Sequence, residues 1–276
     1  MSHPIKDLIK GIPGVRRRIE KVYDRGLKAG REEEIQRISQ GFFERTKNLY
    51  VGRRGFVIGN GPSLRFEDLE SLKEEVTIAS NKIYLAFEEV SWRPTFYSVA
   101  DPLLWRKIKN EIHRFLATVV TPFNFSLPSS GLICYQFKRL NSCRKNFLEF
   151  PEQSFSDDLR IGAHSGYTVT FENLQFAFHL GLDPIYLVGC DHYYEGEHEI
   201  QPAVPISSSG ENHFIKGYRQ PGEIVNPAPI EIMTESYQVA RSYAEKYGRR
   251  IFNATRGGHL EVFDREKLDE ILPSSC

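Results

Sequence analysis

No two of the four cysteines stand in a C-x-x-C spacing: Cys134, Cys143, Cys190 and Cys276 are scattered through 276 residues. That argues against a zinc knuckle or a disulfide framework, and for reduced thiols in a cytosolic compartment. No apolar run nears the roughly 18 residues a spanning helix needs. The start of the chain also lacks the apolar segment of a secretory signal. Net charge is absent too, since 36 basic side chains balance 36 acidic ones. Nothing therefore draws the whole molecule to nucleic acid. The expectation is a soluble, cytoplasmic protein.

The balance hides one asymmetry. In residues 1–31, Lys6, Lys10, Arg16, Arg17, Arg18, Lys21, Arg25, Lys28 and Arg31 face only Asp7, Glu20 and Asp24. Two uses of this segment stay open. It is a helical arm that packs on the domain or on a second subunit, or a peripheral contact with anionic lipid at about 1 kcal/mol per charge.

Three chemical signatures are missing as well. A dinucleotide fingerprint would need glycine where Leu64 stands and an acid where the second strand ends in Asn81. The P-loop pattern G-x-x-x-x-G-K-[ST] does not occur. Nor is there an Asp-x-Asp pair of the kind metal-dependent sugar transferases use to hold a nucleotide diphosphate.

What is present is the texture of an α/β protein, with 40% hydrophobic and 26% charged residues, enough for a full core. Residues 1–50 read as a helical arm, interrupted at Gly11-Ile12-Pro13-Gly14. Residues 51–276 read as one domain in which short apolar runs alternate with amphipathic stretches. Strands are predicted at 55–60, 76–81, 95–101, 117–121, 184–191 and, last, 250–254, with another at 132–137. Helices are predicted at 66–73, 82–89, 103–116, 231–247 and 265–271. A further helix over 165–180 would be capped by Ser165 and stopped by Gly181. Residues 193–229, rich in Pro, Gly, Ser and charge, read as a long lid-like loop. The fold class is a Rossmann-like, mostly parallel sheet with helices on both faces.

The ends of the strands carry the functional signal. They finish in Asn60, Asn81, Asp101, Asp191 and the stretch Asn253 to Thr255. Asn and Asp suit turns, which explains any one of them. Five together point to a ligand in the crevice at the carboxyl edge of a parallel sheet. Gly59-Asn60-Gly61-Pro62-Ser63-Leu64 joins strand to helix, and its glycines, its helix N-terminus and the Ser63 hydroxyl suit a phosphate, with Pro62 in the first turn of the helix. Asp191, His192, Glu195, Glu197, His198 and Glu199 hold metal-ligand types without the spacing of a known site, so an active-site loop with phosphate-binding tyrosines is the better use. His213 is a candidate general base, with His259 second. A loop histidine held by its neighbours is the bland alternative.

Gly59-Asn60-Gly61-Pro62-Ser63-Leu64, Ser80-Asn81, Asp101-Pro102, Ser165-Gly166 and the run Leu180–Tyr193 occur in the same order in two related groups. The chain resembles the MptE-like family, named for an archaeal 6-hydroxymethylpterin diphosphokinase, and the bacterial CMP-sialic-acid-dependent sialyltransferases, a metal-independent family. His213-Phe214, Asn253 to Gly258 and Leu260 to Phe263 are similar to bacterial MptE-like members. The likeness spans roughly residues 55–272. It implies that Asn60, Ser63, Asn81, Ser165 and Tyr193 contact a nucleotide and its phosphate; from the residues themselves Gly59 and Gly61 join that set, and His213, Asp101 and Asp191 are the catalytic candidates. Asp101 stands where the sialyltransferases have asparagine, and their catalytic histidine falls near Gly217 or Tyr218, so sialic acid specificity is not carried over.

The expected activity is metal-independent transfer from a nucleotide-activated sugar, such as a CMP-sugar, to a glycan or small-molecule acceptor in surface polysaccharide synthesis or modification. No cofactor is required. The alternatives are an ATP- and Mg-dependent diphosphokinase, in which Mg²⁺ would enter, and a non-catalytic nucleotide-binding protein. A homo-oligomer is compatible with the sequence.

Overall fold

Strands with no polar face need apolar cover on both sides, and the chain supplies it. In the computed structural model, residues 15–112, 119–122, 132–135, 137–138, 153–195, 206–207, 212–220 and 222–272 are described. The N-terminal basic residues Lys6 and Lys10 lie outside them.

The main sheet contains β1 (Gly55–Ile58), β2 (Val76–Ser80), β3 (Phe96–Ser98), β4 (Val119–Pro122), β5 (Leu132–Tyr135), β8 (Ile185–Val188), β11 (Ile251–Asn253) and β12 (Asp264–Arg265). Their order is β12-β11-β8-β1-β2-β3-β4-β5, and every neighbouring pair is parallel. Two small pairs lie apart: β6 (Phe137–Lys138) with β7 (Ala163–His164), and β9 (Ile206–Ser207) with β10 (Ile224–Val225). The predicted strand over 132–137 is thus β5 and the start of β6. The strand predicted to be last is followed by β12, whose exposed Asp264 and Arg265 give no apolar signal.

Alternate residues of each strand face opposite helical layers. Val57, Ile78 and Leu187 pack with Phe43 of α1 (Val15–Thr46), with α4 (Val169–Leu180) and with α5 (Ile230–Lys246). Phe56, Ile58 and Val188 pack on the other side with α2 (Phe66–Ser71), a 3₁₀ segment (Asn81–Glu88), α3 (Pro102–Ile112) and α6 (Leu268–Ile271). The Rossmann-like α/β reading holds.

The end of the N-terminal arm belongs to the core. Phe43 meets Phe176 edge-on at 6.3 Å, Ser39 Oγ accepts from the Cys134 amide at 2.8 Å, and the Asn48 amide donates to the His179 carbonyl at 2.8 Å.

One helix start differs from expectation for a local reason. Tyr167 takes a left-handed φ of 60° and Gly166 is pressed against the Phe171 ring, so the chain is still turning after Ser165. Thr168, not Ser165, caps α4, its hydroxyl accepting from the Thr170 amide at 3.3 Å. The α2 start at Phe66 is the predicted one, with the Asp68 carboxylate taking the Arg65 amide at 3.0 Å, but Pro62 lies in the turn before the helix and not in its first turn.

Gly181 does end its helix, at φ 83°. A Cβ there would sit 2.8 Å from Val51 Cγ2 and 3.1 Å from Asn48 Cα. Gly181→Ala is expected to lower the unfolding free energy by about 2 kcal/mol, the left-handed penalty plus the contact. A urea titration reads it directly.

Candidate ligand site

In a doubly wound sheet the crevice opens where the strand order reverses. Here β1 is that point. The chain moves from β1 through β2 to β5 on one side, then returns to β8 on the other. A cavity of about 400 Å³ lies at the carboxyl ends of these strands. Small-molecule sites span roughly 300–1,000 Å³.

The structure brings most of the predicted residues to this one space. Gly59, Asn60 and Gly61 line it from β1, Asn81 from β2 and Asp101 from β3. Asp191 and Tyr193 follow β8, Ser165 precedes α4, and His213 comes from the loop after β9. Asn253 and Thr255 do not reach it. Asn253 Nδ2 donates to the Leu260 carbonyl at 2.8 Å, and Thr255 Oγ1 accepts from the Cys190 amide at 3.0 Å. The fifth strand end pins a loop. His259 is exposed and outside the cavity lining, its ring 5.1 Å from that of Tyr193.

The glycine loop is built differently from a phosphate cradle. The Gly59 amide donates to the Val188 carbonyl at 2.8 Å and the Gly61 amide to the Gly189 carbonyl at 2.9 Å. Ser63 gives its amide to Asp191 Oδ1 at 3.2 Å and its hydroxyl to Asp191 Oδ2 at 2.8 Å. Leu64 donates to the Gly61 carbonyl at 3.1 Å. These donors are committed inside the protein, and Ser63 lies behind Asp191, off the cavity wall. The glycines are needed because two loops touch. A Cβ on Gly59 would lie 2.2 Å from the Gly189 oxygen, and one on Gly61 would lie 1.9 Å from Asp191 Oδ2. Burial raises the proton affinity of Asp191, and its two bonds from Ser63 lower it; the balance lies above the usual carboxylate range.

The asparagines face the cavity in a fixed sense. Asn60 Nδ2 donates to the Ser80 carbonyl at 3.2 Å, tying β1 to β2, and its buried Oδ1 has no partner. Asn81 is held at φ 57°, and its buried Oδ1 is also unmatched. Among the described residues four non-glycine positions have positive φ, and three of them (Asn81, Tyr167, His192) line this cavity. Strain of that kind, about 1–3 kcal/mol each, collects at functional sites. Asp101 is partly structural: Oδ1 accepts from the Leu103 amide at 2.8 Å, starting α3, and from Asn226 Nδ2 at 2.9 Å.

His213 stacks flat on Tyr218, centroids 3.7 Å apart and planes 6° apart, with its buried Nδ1 unbonded. Burial first, then the charges of Arg219 and Lys82, pulls its pKa down to about 3, so the ring is neutral at physiological pH. His192, weighed in the sequence only as one of several metal-ligand types, also lines the cavity. Its Nε2 meets Thr234 Oγ1 at 2.7 Å, Nδ1 is unbonded, and burial lowers its pKa to about 4.

A cationic wall was equally hidden. Lys82, Lys107, Tyr218, Arg219 and Glu223 all face the cavity. Lys82 directly follows Asn81, and that adjacency was the one available signal.

The family model described as 6-hydroxymethylpterin diphosphokinase MptE-like matches residues 32–197, more than half of the chain. The chain belongs to the MptE-like family. The matched span carries the glycine loop, both asparagines, Asp101, Ser165, Asp191 and Tyr193. His213, Tyr218, Arg219 and Glu223 of this MptE-like protein lie beyond it. Among solved structures it is similar to the MAf glycosyltransferase from Magnetospirillum magneticum AMB-1, at 17% identity and a TM-score of 0.49. That alignment covers 88% of this chain and 40% of the other, so the chain spans less than half of that protein's length. No curated protein matches. Among the described residues no helix is long and apolar enough to cross a membrane, and no group of three or more His, Cys, Asp or Glu could hold a metal ion.

Proposed function

We propose that this MptE-like protein transfers a sugar from a nucleotide-activated donor, such as a CMP-sugar, to a hydroxyl acceptor in building or modifying a surface glycan. One observation carries the reading: Asn60 and Asn81, from adjacent strands, line the same cavity, and each carries a buried amide oxygen that no group of the protein satisfies. A buried acceptor without a donor costs about 1–3 kcal/mol. A nucleoside offers hydroxyl and amino donors that would relieve both.

In the transfer, the acceptor oxygen forms a bond to the anomeric carbon while the bond from that carbon to the donor phosphate oxygen breaks. The phosphate leaves with the electron pair. The acceptor proton passes to the neutral His213 ring, whose Nδ1 has no other partner. The segment 212–220, with Phe214 donating its amide to the Asn60 carbonyl at 3.1 Å, closes one side and keeps water from the anomeric carbon.

The diphosphokinase alternative would need Mg²⁺ held by carboxylates and substrate phosphates. The donor set fits poorly. Both Asp191 oxygens accept from Ser63, and Asp101 Oδ1 serves the Leu103 amide and Asn226.

Hydrolysis and transfer with a panel of CMP-sugars, with and without EDTA, tests the proposal. Turnover unaffected by EDTA is expected, and His213→Asn should lower it about a hundredfold, the lower range for a general base. CMP should still raise the melting temperature of that variant. Because His213 is neutral above about pH 4, the wild-type rate should show no His213 limb between pH 5.5 and 8. Turnover of ATP with Mg²⁺, but of no CMP-sugar, would sink the reading in favour of diphosphate transfer.

A further inference from the structure

An anionic ligand needs donors or cations, and the glycine loop has already spent its amides on β8 and Asp191. Another part of the lining is different. Lys82, Lys107 and Arg219 line it with a single acid, Glu223, among them. Glu223 Oε1 accepts from Lys107 Nζ at 2.8 Å, and Oε2 stands 3.6 Å from Lys82 Nζ and accepts the Gln220 amide at 3.1 Å. Side chains of Lys82 and Glu223 are each only 14% exposed, so this is more than a rim contact. Lys82 Nζ donates to the Tyr218 carbonyl at 2.5 Å, and Arg219 acts electrostatically on Lys82, His213 and Tyr218 alike.

Resting on the reading of this cavity as the donor site, we infer that the phosphate end of the ligand sits against Lys82, Lys107 and Arg219, and that the Glu223 carboxylate holds that seat in the free protein. Three features support the exchange. A carboxylate and a phosphate oxygen make the same charge-assisted bonds to lysine. The Lys82 contact, at 3.6 Å, is an ion pair without a direct hydrogen bond. Glu223 is followed by β10, which among the described residues pairs only with the two-residue β9, so its displacement disturbs little of the main sheet.

The measurement is calorimetric binding of inorganic pyrophosphate and of CMP to the full chain and its Glu223→Gln and Lys82→Gln variants, with melting temperatures as the check on folding. Glu223→Gln keeps the shape and removes the competing charge, so pyrophosphate should bind about tenfold tighter, and Lys82→Gln about tenfold weaker. If Glu223→Gln does not fold, Lys107→Gln serves, with a several-fold loss of pyrophosphate affinity expected. Equal or weaker binding by Glu223→Gln, or no pyrophosphate binding by any form, overturns the inference. A gain in pyrophosphate affinity without turnover of any CMP-sugar leaves the anion seat standing and removes the sugar-transfer reading. Turnover without the gain does the reverse.

Discussion

Replacing Gly59 by alanine is expected to cost the fold about 3 kcal/mol and to abolish ligand binding. The added Cβ would lie 2.2 Å from the Gly189 carbonyl oxygen and 2.7 Å from its carbon. Both are backbone atoms of Gly189, just past β8, while Gly59 stands just past β1, and these are the two strands at the switch point. The spacing between them is set by parallel pairing, Ile58 opposite Val188, and by the Gly59 amide bond to the Val188 carbonyl at 2.8 Å. No rotamer change relieves such a clash, so the strands must part, and overpacking a core typically costs about 1–3 kcal/mol. Gly61→Ala provides the contrast. Its Cβ meets first the Asp191 carboxylate, a side chain that can swing away at the loss of its two bonds from Ser63, and meets backbone only at the Gly189 oxygen, 2.9 Å away against 2.2 Å for Gly59. Charge-assisted bonds are worth about 1.5–3 kcal/mol each, but the freed carboxylate regains water. Gly61→Ala should therefore be the milder of the two in stability. Urea unfolding of both variants decides it, and a Gly59→Ala protein within 0.5 kcal/mol of the parent would refute the packing argument.

Acid should unfold this protein well before its carboxylates are neutralised. His179, His192 and His213 are buried, and burial is the first cause of each depressed pKa, to about 4, about 4 and about 3. The unfolded chain takes up protons near pH 6.5, while the fold refuses them. Stability is therefore intact above pH 6.5 and falls as pH drops, by about 1.4 kcal/mol per unit for each histidine. Glu172 opposes this. Burial raises its pKa to about 8 despite the Tyr135 hydroxyl donating to it at 2.5 Å. Its contribution is complete below its unfolded value of 4.5 and is lost as pH rises through 8. Between pH 6.5 and 4.5 the three histidines against one glutamate leave a net loss of about 3 kcal/mol per pH unit. From pH 7 to 5 the urea midpoint should drop steeply, and above pH 7 it should decline gently. Glu172→Gln should remove the gentle alkaline decline and leave the acid side in place. A flat profile from pH 7 to 5 would mean that these rings are solvated.

Much of the architecture could be read without coordinates, because it rests on local rules. Apolar runs such as Ile185–Val188 can only be covered strands, and Gly181 can only follow a helix in the left-handed turn it makes. Parallel strands open at one edge, so Asn60, Asn81, Asp101 and Asp191 had to gather once the pairing was parallel. That convergence was present in the sequence by itself.

Tertiary structure decided the rest. Whether the glycine loop offers its amides to a ligand or to β8 depends on the approach of residues 59–63 to residues 188–191, a contact across some 130 positions that no local pattern encodes. The same holds for Thr255, turned onto Cys190, and for the wall in which Lys82, Lys107 and Glu223 meet from three separate segments. Side-chain periodicity tells which face of its own element a residue occupies. Only the packing of elements against one another determines what that face meets, and the direction of a hydrogen bond or charge at the site is settled there.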